Sequence, residues 1–393
     1  MTNRELFLQN VAQTSDFPLM LEIEKAEGVY LYGANGEKYI DLISGIGVSN
    51  VGHRHPRVVE AIKTQVDRYL HLMVYGEYVQ SPQVLLAQRL TSLLPSTLSS
   101  VYFTNSGSEA IEGAMKLAKR YTGRGKIISC YDAYHGSTHG ALSIGGNEKL
   151  KQNFRPLLPL TNRIYFGQER DLEQIDEQTA AVVVETVQGE AGVRVASPEY
   201  FKKLRRKCDE KGVLLVLDEI QCGFGRTGKF WAFEHYDISP DILVCAKGMG
   251  GGMPLGAFIS SVEIMSVLKH NPILGHITTF GGHPVCCAAS LATIEAIQQE
   301  NLIYQVAEKA QLFLSMLQHP KIKASRNKGL MMAFEMENFE SLKPVIDKAI
   351  KKGVITDWFL FCDNSMRVAP PLTISKNEIV QACEHILEAI NES

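Results

Sequence analysis

Two stretches limit what this chain can fold into. Val213-Leu214-Leu215-Val216-Leu217 stops at Asp218, and Ile242-Leu243-Val244-Cys245-Ala246 stops at Lys247. A strand wetted on one face alternates apolar and polar residues, and neither run does. Both therefore read as strands buried on both faces, the condition of parallel strands covered by helices. Ala180-Ala181-Val182-Val183-Val184, stopping at Glu185, repeats the pattern. In open α/β sheets, ligands sit just beyond the strand carboxyl ends, so Asp218 and Lys247 point at one crevice. Taken singly, each also suits a strand-end charge facing water.

The rest of the chain fits that sheet. Further strands are expected near residues 101, 127 and 257, with helices between several of them (Glu109 to Tyr121, Pro198 to Lys211). This succession predicts a mostly parallel, doubly wound α/β sheet. Before it, Val29–Tyr32 and Lys38–Leu42 flank the turn residues Gly33-Ala34-Asn35-Gly36 as a hairpin, and Ser44–Val48 is small and flexible enough to line a pocket. Helical periodicity covers Pro56 to Tyr69 and Ser81 to Leu94. After Pro284 the character changes. Cys286 to about Leu317 reads as one long helix, followed by short strands (Leu330 to Met336, Val354 to Ile355, Met366 to Ala369) and helices over Phe339 to Lys351 and Asn377 to Ile390. The expected division is an N-terminal segment (1–50) shared with a smaller α+β domain (283–393), and a large α/β domain (51–282).

Composition excludes some functions. A formal charge of −3 gives no electrostatic reason to expect nucleic acid or an anionic membrane as partner. No stretch reaches membrane-spanning length, the first residues lack an apolar leader, and the eight cysteines form no C-x-x-C. A reducing, cytoplasmic location is expected. His53 and His55 lack nearby Cys or acidic ligands and suit a turn rather than a metal site.

Three further segments carry chemistry. Ser100–Thr104 reads as a buried strand running through Asn105-Ser106-Gly107-Ser108 into a helix N-terminus. Strand, small-residue turn and helix start form an anion site for phosphate, although serine is also an ordinary helix cap. Tyr134, past the strand Lys126–Cys130, can stack on a flat ring. A carboxylate and an amine in one pocket then suit pyridoxal 5′-phosphate (PLP), with Lys247 as the Schiff-base lysine and Asp218 keeping the pyridine nitrogen protonated.

These residues lie within a longer set. Asp41 with Ser44-Gly45-Ile46-Gly47, Gly52-His53-Arg54-His55-Pro56, Asn105-Ser106-Gly107-Ser108-Glu109-Ala110 and Tyr134-His135-Gly136 are followed by Glu185-Thr186-Val187-Gln188-Gly189-Glu190. Asp218-Glu219-Ile220-Gln221, Gly225-Arg226-Thr227-Gly228, Ala246-Lys247-Gly248, Thr278-Thr279-Phe280-Gly281-Gly282 and Arg367-Val368-Ala369-Pro370-Pro371-Leu372 complete it. In this order they resemble the class III (ω-amino-acid) PLP-dependent aminotransferases, which include ornithine, acetylornithine and 4-aminobutyrate aminotransferases. The resemblance covers essentially the whole chain and implies the PLP fold-type I.

The resemblance also implies roles. Lys247 would carry the cofactor and shuttle the proton, Asp218 would pair with the ring nitrogen, and Gln221 would reach the ring hydroxyl. Tyr134 would stack on the ring beside His135, and Ser106, Gly107 and Ser108 would cradle the phosphate. Thr279 would bind that phosphate from the neighbouring subunit of a homodimer. Arg367 would take a substrate carboxylate, with Glu190 as its exchangeable partner and Glu185 near the cofactor. Read alone, Arg367 suits a surface ion pair as well. Two positions depart from the pattern. Ser137 stands where ornithine, acetylornithine and many aminobutyrate enzymes carry an arginine, and Ile46 where ornithine enzymes place a tyrosine. The expected reaction is transfer of an amino group from an ω-amino acid or related amine to 2-oxoglutarate by a ping-pong mechanism. A racemase, epimerase or aminomutase on the same scaffold, or a non-catalytic binding protein, would share the cofactor residues.

Overall fold

The computed structural model describes residues 1–393. Strands β1 (Ile23–Glu27), β2 (Tyr30–Gly33) and β3 (Lys38–Asp41) open the chain. The central sheet is built from β4 (Ser100–Thr104), β5 (Lys126–Cys130), β6 (Thr161–Ile164), β7 (Thr179–Glu185), β8 (Leu214–Asp218), β9 (Ile242–Cys245) and β10 (Gly256–Ser260). Strands β11 (Ala324–Lys328), β12 (Met331–Glu335), β13 (Val354–Ile355), β14 (Asp357–Phe359) and β15 (Cys362–Val368) follow.

The central sheet runs β4-β10-β9-β8-β7-β5-β6, and β10 alone is reversed. Its middle strands are dry on both faces, as their unbroken apolar runs predict. Val182, Val184, Leu215, Leu217, Leu243 and Cys245 join one core cluster, which includes Tyr200, Phe201 and Leu204 of the helix Pro198–Lys211. The alternate residues Ala181, Val183, Leu214, Val216, Ile242 and Val244 join a second, with Ala110, Ala114, Leu117 and Ala118 of the helix Gly107–Thr122. The result is the expected mostly parallel, doubly wound α/β sheet.

Three expectations need correction. Strand β4 is half-buried rather than buried, because it forms the sheet edge and pairs only with β10. The opposite edge strand, β6, escaped the sequence reading: Thr161-Asn162-Arg163-Ile164 is half polar, as an edge permits. The single helix expected from Cys286 to Leu317 is two, Pro284–Gln299 and Leu302–Met316. Asn301 between them has φ +53°, a left-handed conformation that asparagine tolerates and that stops a right-handed helix.

The two chain ends meet in a second sheet. β13 pairs in parallel with β3, extending the order β1-β2-β3-β13, while β11-β12-β15-β14 forms the third sheet. Arg226 ties these parts to the central sheet. Its fully buried guanidinium donates to the carbonyls of Leu330 and Pro370 and to Asn50 Oδ1. No helix is long and apolar enough to cross a membrane.

Replacing Arg226 by Met keeps apolar bulk but strands three buried acceptors, each worth about 1–3 kcal/mol when unsatisfied. We expect Arg226→Met to lower stability by at least about 3 kcal/mol in urea unfolding. A loss below about 1 kcal/mol would remove the clamp from the account of how the parts are held.

Candidate active site

Five strand ends converge on one edge of the central sheet. Asp218 closes β8, and Glu185 closes β7 directly opposite it in register. Lys247 lies just past β9, Tyr134 and His135 past β5, and Ser106–Ser108 past β4. With Glu190 and Gln221, these residues line one cavity of about 440 Å³. Apolar walls come from Val48, Val187, Met253 and Leu255.

Each buried carboxylate in the cavity wall has a partner. Asp218 Oδ2 lies 2.7 Å from His135 Nδ1, and Oδ1 accepts from the Ile220 N–H at 3.0 Å. Burial pushes the His135 imidazole down, but its hydrogen bond to Asp218 and the charges of Asp218 and Glu185 outweigh this, and its pKa rises. Glu185 Oε1 accepts from Tyr134 N at 3.1 Å and Oε2 from Gly189 N at 3.0 Å. Glu185 thereby fixes the two loops that flank the cavity. Burial raises its carboxyl from an ordinary 4.5 to about 7. Glu219 turns away from the cavity, accepting from Thr186 Oγ1 at 3.0 Å and from Ala232 N and Phe233 N at 2.6 Å each.

Lys247 differs. Its amine has no hydrogen bond or ion pair with the protein, and burial holds its pKa below the usual lysine range. Lys247 itself has φ +45°, and Gly248 behind it leaves room for Asn50, whose Nδ2 would lie 2.6 Å from a Cβ there.

The helix Gly107–Thr122 starts at the cavity with free donors. The Glu109 and Ala110 N–H groups go to Ser106 Oγ and Ser106 O, leaving those of Gly107 and Ser108 at the helix mouth. Gly136 packs against this turn. A Cβ there would lie 1.9 Å from Ser108 Oγ, and its φ of +125° excludes other residues independently.

Beside the cavity, Arg367 Nη1 and Nη2 meet Glu190 Oε1 and Oε2 at 2.9 and 3.0 Å, a bidentate buried pair. Gln221, in the same cavity wall, donates through Nε2 to Glu190 Oε1 at 3.1 Å. Burial alone would raise the Glu190 carboxyl, but Arg367 outweighs it and holds the carboxyl below its ordinary value. Arg367 has a second acidic neighbour that the sequence reading missed: Asp357 Oδ1 lies 2.9 Å from Nε. Burial lifts Asp357 to about 6 against the pull of Arg367.

The remaining candidates lie outside the cavity. Ile46 borders an adjoining recess with Gln221 and Arg367. Ser137 is exposed, with its Oγ 3.2 Å from Tyr134 OH and its N–H on Ser108 Oγ at 3.3 Å. Thr279 is exposed, and its carbonyl meets His71 Nε2 at 2.8 Å. His53 Nε2 meets Asp41 Oδ2 at 2.8 Å, and no cluster of three or more potential metal ligands forms.

A family profile described as "Aminotransferase class-III" matches residues 11–390. The chain belongs to the class III aminotransferases. It is 39% identical to an acetylornithine aminotransferase of Methanopyrus kandleri over 96% of both chains. It is 38% identical to a putrescine aminotransferase of Pectobacterium atrosepticum, over 92% of this chain and 81% of that one. The ornithine aminotransferase of Toxoplasma gondii superposes with a TM-score of 0.92 at 29% identity, covering 100% of this chain and 96% of that chain. A second structure of that enzyme (TM-score 0.90, 29% identity, 98% and 93% coverage) is described with PLP at partial occupancy in its active site. The class III chain is thus a PLP-dependent aminotransferase, acting on an amino donor and an oxo-acid acceptor. Isomerase and non-catalytic readings give way to it.

The residues present fit PLP. The cavity offers an unpartnered amine, a buried carboxylate kept in place by His135, and a helix N-terminus with two free N–H groups.

Glu185 generates a pH prediction. A carboxyl raised from 4.5 to about 7 contributes stability that is complete below pH 4.5 and lost as pH rises through 7. Glu185→Gln cannot ionise. We expect the Tm advantage of wild type over this variant to shrink between pH 5 and 8; a constant or widening gap would place Glu185 outside this balance.

Proposed function

We propose that this aminotransferase takes an amino group from an ω-amine, of the ω-amino-acid or diamine type, and delivers it to 2-oxoglutarate in a ping-pong cycle. The observation carrying this reading is the buried Arg367–Glu190 pair beside the cavity that Lys247 lines. A single site must admit a donor whose reacting end carries no carboxylate, and later a dicarboxylic acceptor. Paired with Glu190, Arg367 presents a neutral wall; with Glu190 turned away, its Nη edge takes a carboxylate in the same bidentate manner. Relatives named for acetylornithine and putrescine support an ω-amine donor.

When bound, PLP supplies an electron sink for the carbon that loses its proton. The chain does the rest. Lys247 Nζ holds the cofactor and moves that proton, and its lowered pKa favours the neutral, basic amine. Asp218, fixed by His135, keeps a positive charge on the ring nitrogen. Tyr134 would stack on the ring, Gln221 would assist at its hydroxyl, and Ser106, Gly107 and Ser108 would hold the phosphate. Glu185 sets the loops around them, and Thr279 of the partner subunit completes the phosphate site in a homodimer.

The donor follows from what the cavity lacks. Lys247 is the only lysine or arginine lining it, and Ser137 at its rim offers only a neutral hydrogen bond. A carboxylate at the far end of the donor therefore finds no cation, which favours a diamine or simple ω-amine. Arg155, one of the basic residues nearest in sequence to Ser137, is tied to Glu148.

The donor reading is tested by a screen with 2-oxoglutarate, following glutamate formation, with Lys247→Ala as an inactive but folded control. Wild type is expected to prefer diamines over ornithine or acetylornithine. Ser137→Arg is expected to raise kcat/KM for those α-carboxylate donors by about ten- to a hundredfold, the worth of one charge-assisted contact. Efficient wild-type use of ornithine, lost in the variant, would mean another group reads that carboxylate.

The dimer is tested by mixing. Thr279→Ala subunits should bind PLP weakly. Mixed with Lys247→Ala subunits, they should form heterodimers with one intact site and regain activity at limiting PLP. Absence of recovery in verified heterodimers would place Thr279 on its own subunit's phosphate. An interface of an obligate dimer, above about 2,000 Å² of total buried area, is expected.

A further inference from the structure

Arg367 faces two carboxylates that are anchored in different ways. Glu190 lies in the loop after β7, outside any strand, and grips the Nη1 and Nη2 atoms. Asp357 is on β14, directly opposite Arg367 of β15 in the antiparallel register, with Oδ1 2.9 Å from Nε. The carbonyl of Trp358, next to Asp357, accepts from Nη2 at 3.0 Å, and the Phe359 ring lies against the guanidinium at 4.6 Å from its centroid.

The two sets of contacts differ in what can move. A cross-strand neighbour is fixed by the ladder, and an aspartate has only two side-chain torsions with which to leave. The contacts from β14 therefore persist whether Glu190 is present or not. Glu190 reaches Arg367 from a loop through one more torsion, and what else holds its carboxylate is light: Gln221 Nε2 at 3.1 Å and the Leu360 N–H at 3.2 Å. Glu190 is thus the exchangeable partner of Arg367, while Asp357 at Nε and the Trp358 carbonyl on Nη2 are the fixed ones.

We propose that Asp357 is a positioning residue for the acceptor: it anchors the Nε edge of Arg367 so that, when Glu190 withdraws, the Nη pair stays aimed at the incoming carboxylate. This rests on the role given to Arg367 above. A long side chain that loses a carboxylate partner with too few fixed contacts left regains rotamer freedom, which the arriving substrate must then remove again. An anchored guanidinium spares the acceptor that loss. Asp357 has a counter-effect as well, since its charge, with Asp41 close enough to be felt, opposes a further anion. Orientation and charge are separable by substitution. Asp357 Oδ1 and Arg367 Nε are in ion-pair contact without hydrogen-bond alignment, so asparagine keeps the side-chain bulk and oxygen against Nε without the charge, and alanine removes both.

The test uses the PLP-loaded enzyme as wild type, Asp357→Asn and Asp357→Ala. The two half-reactions are followed separately by cofactor absorbance, with 2-oxoglutarate or butanal as acceptor. Asp357→Ala should raise KM for 2-oxoglutarate about tenfold, the effect of one newly mobile side chain, with kcat within about twofold of wild type. The donor half-reaction and turnover of butanal, which has no carboxylate beside its carbonyl, should stay within about twofold, and Asp357→Asn should restore the 2-oxoglutarate KM to within about threefold. An unchanged 2-oxoglutarate KM in Asp357→Ala overturns the proposal. So does an equal loss in both half-reactions, which is the signature of a packing role, or an asparagine variant as impaired as alanine. A wild type that uses butanal and refuses 2-oxoglutarate defeats the acceptor reading itself, and the role of Asp357 with it.

Discussion

Charge can enter the central sheet only at its ends. Strands β7, β8 and β9 are buried on both faces, and an ion within them would cost several kcal/mol without a partner. Their carboxyl ends are where the chain first meets polar neighbours, and there the charges collect. Asp218 takes His135 and the Ile220 N–H, Glu185 takes two loop N–H groups, and Glu219 takes three donors on the side away from the cavity. The same contacts that make these carboxylates tolerable also fix the loops that shape the cavity. Only Lys247 is left without a protein partner, and in a crevice whose other charges are satisfied it is the group free to react.

The second constraint is distance along the chain. Arg367 stands on β15, and Glu190 follows β7 of another sheet. They meet because the chain ends fold back together, β13 against β3 and the Ala369 N–H on the Leu42 carbonyl, while Arg226 bridges Asn50, Leu330 and Pro370. A clamp buried at that junction sets where the Arg367 guanidinium lies relative to Lys247. Buried ion pairs contribute little net stability, since desolvation offsets attraction. Retention of the Arg367 group is better explained by its position beside the cavity than by the strength of its bonds.

How much of this was legible in the sequence depended on burial and on range. β7, β8 and β9 were readable because strands dry on both faces leave unbroken aliphatic runs with a charge at the end. The edges were less so: β4 is half wet, and Thr161-Asn162-Arg163-Ile164 carries no apolar pattern at all. The break at Asn301 turned on a single backbone angle inside apolar helical sequence. Lys247, Asp218, Tyr134 and the Ser106–Ser108 turn could be assigned to one crevice from local pattern, because each follows a strand of one sheet. Glu190 with Arg367 could not, and only family resemblance paired them. Asp357 went unnoticed because its meeting with Arg367 depends on the β14–β15 register around Leu360 and Phe361, which neither spacing nor composition reveals.

The strained backbone follows the same geography. Ser44, Gly45, Ile46 and Gly47 all have positive φ, from +52° to +76°, a left-handed turn containing a β-branched residue. Left-handed conformation costs a non-glycine residue about 1–2 kcal/mol, so something must hold it. Asp41 Oδ1 accepts from the N–H groups of Ile43 and Ser44 at 2.8 and 2.9 Å, and Ser44 Oγ donates to the Ala369 carbonyl at 2.7 Å. The segment expected from its small residues to be flexible is therefore pinned, with Val48 in the cavity wall and Ile46 beside Arg367. Lys247 has φ +45° at the start of a short helical turn, closed by the Met249 N–H on the Ala246 carbonyl. In both places the chain leaves its preferred conformation at the cavity and is held there by buried hydrogen bonds. The left-handed angle at Lys247 ends β9 there, and the side chain lines the cavity at the strand ends rather than continuing the sheet.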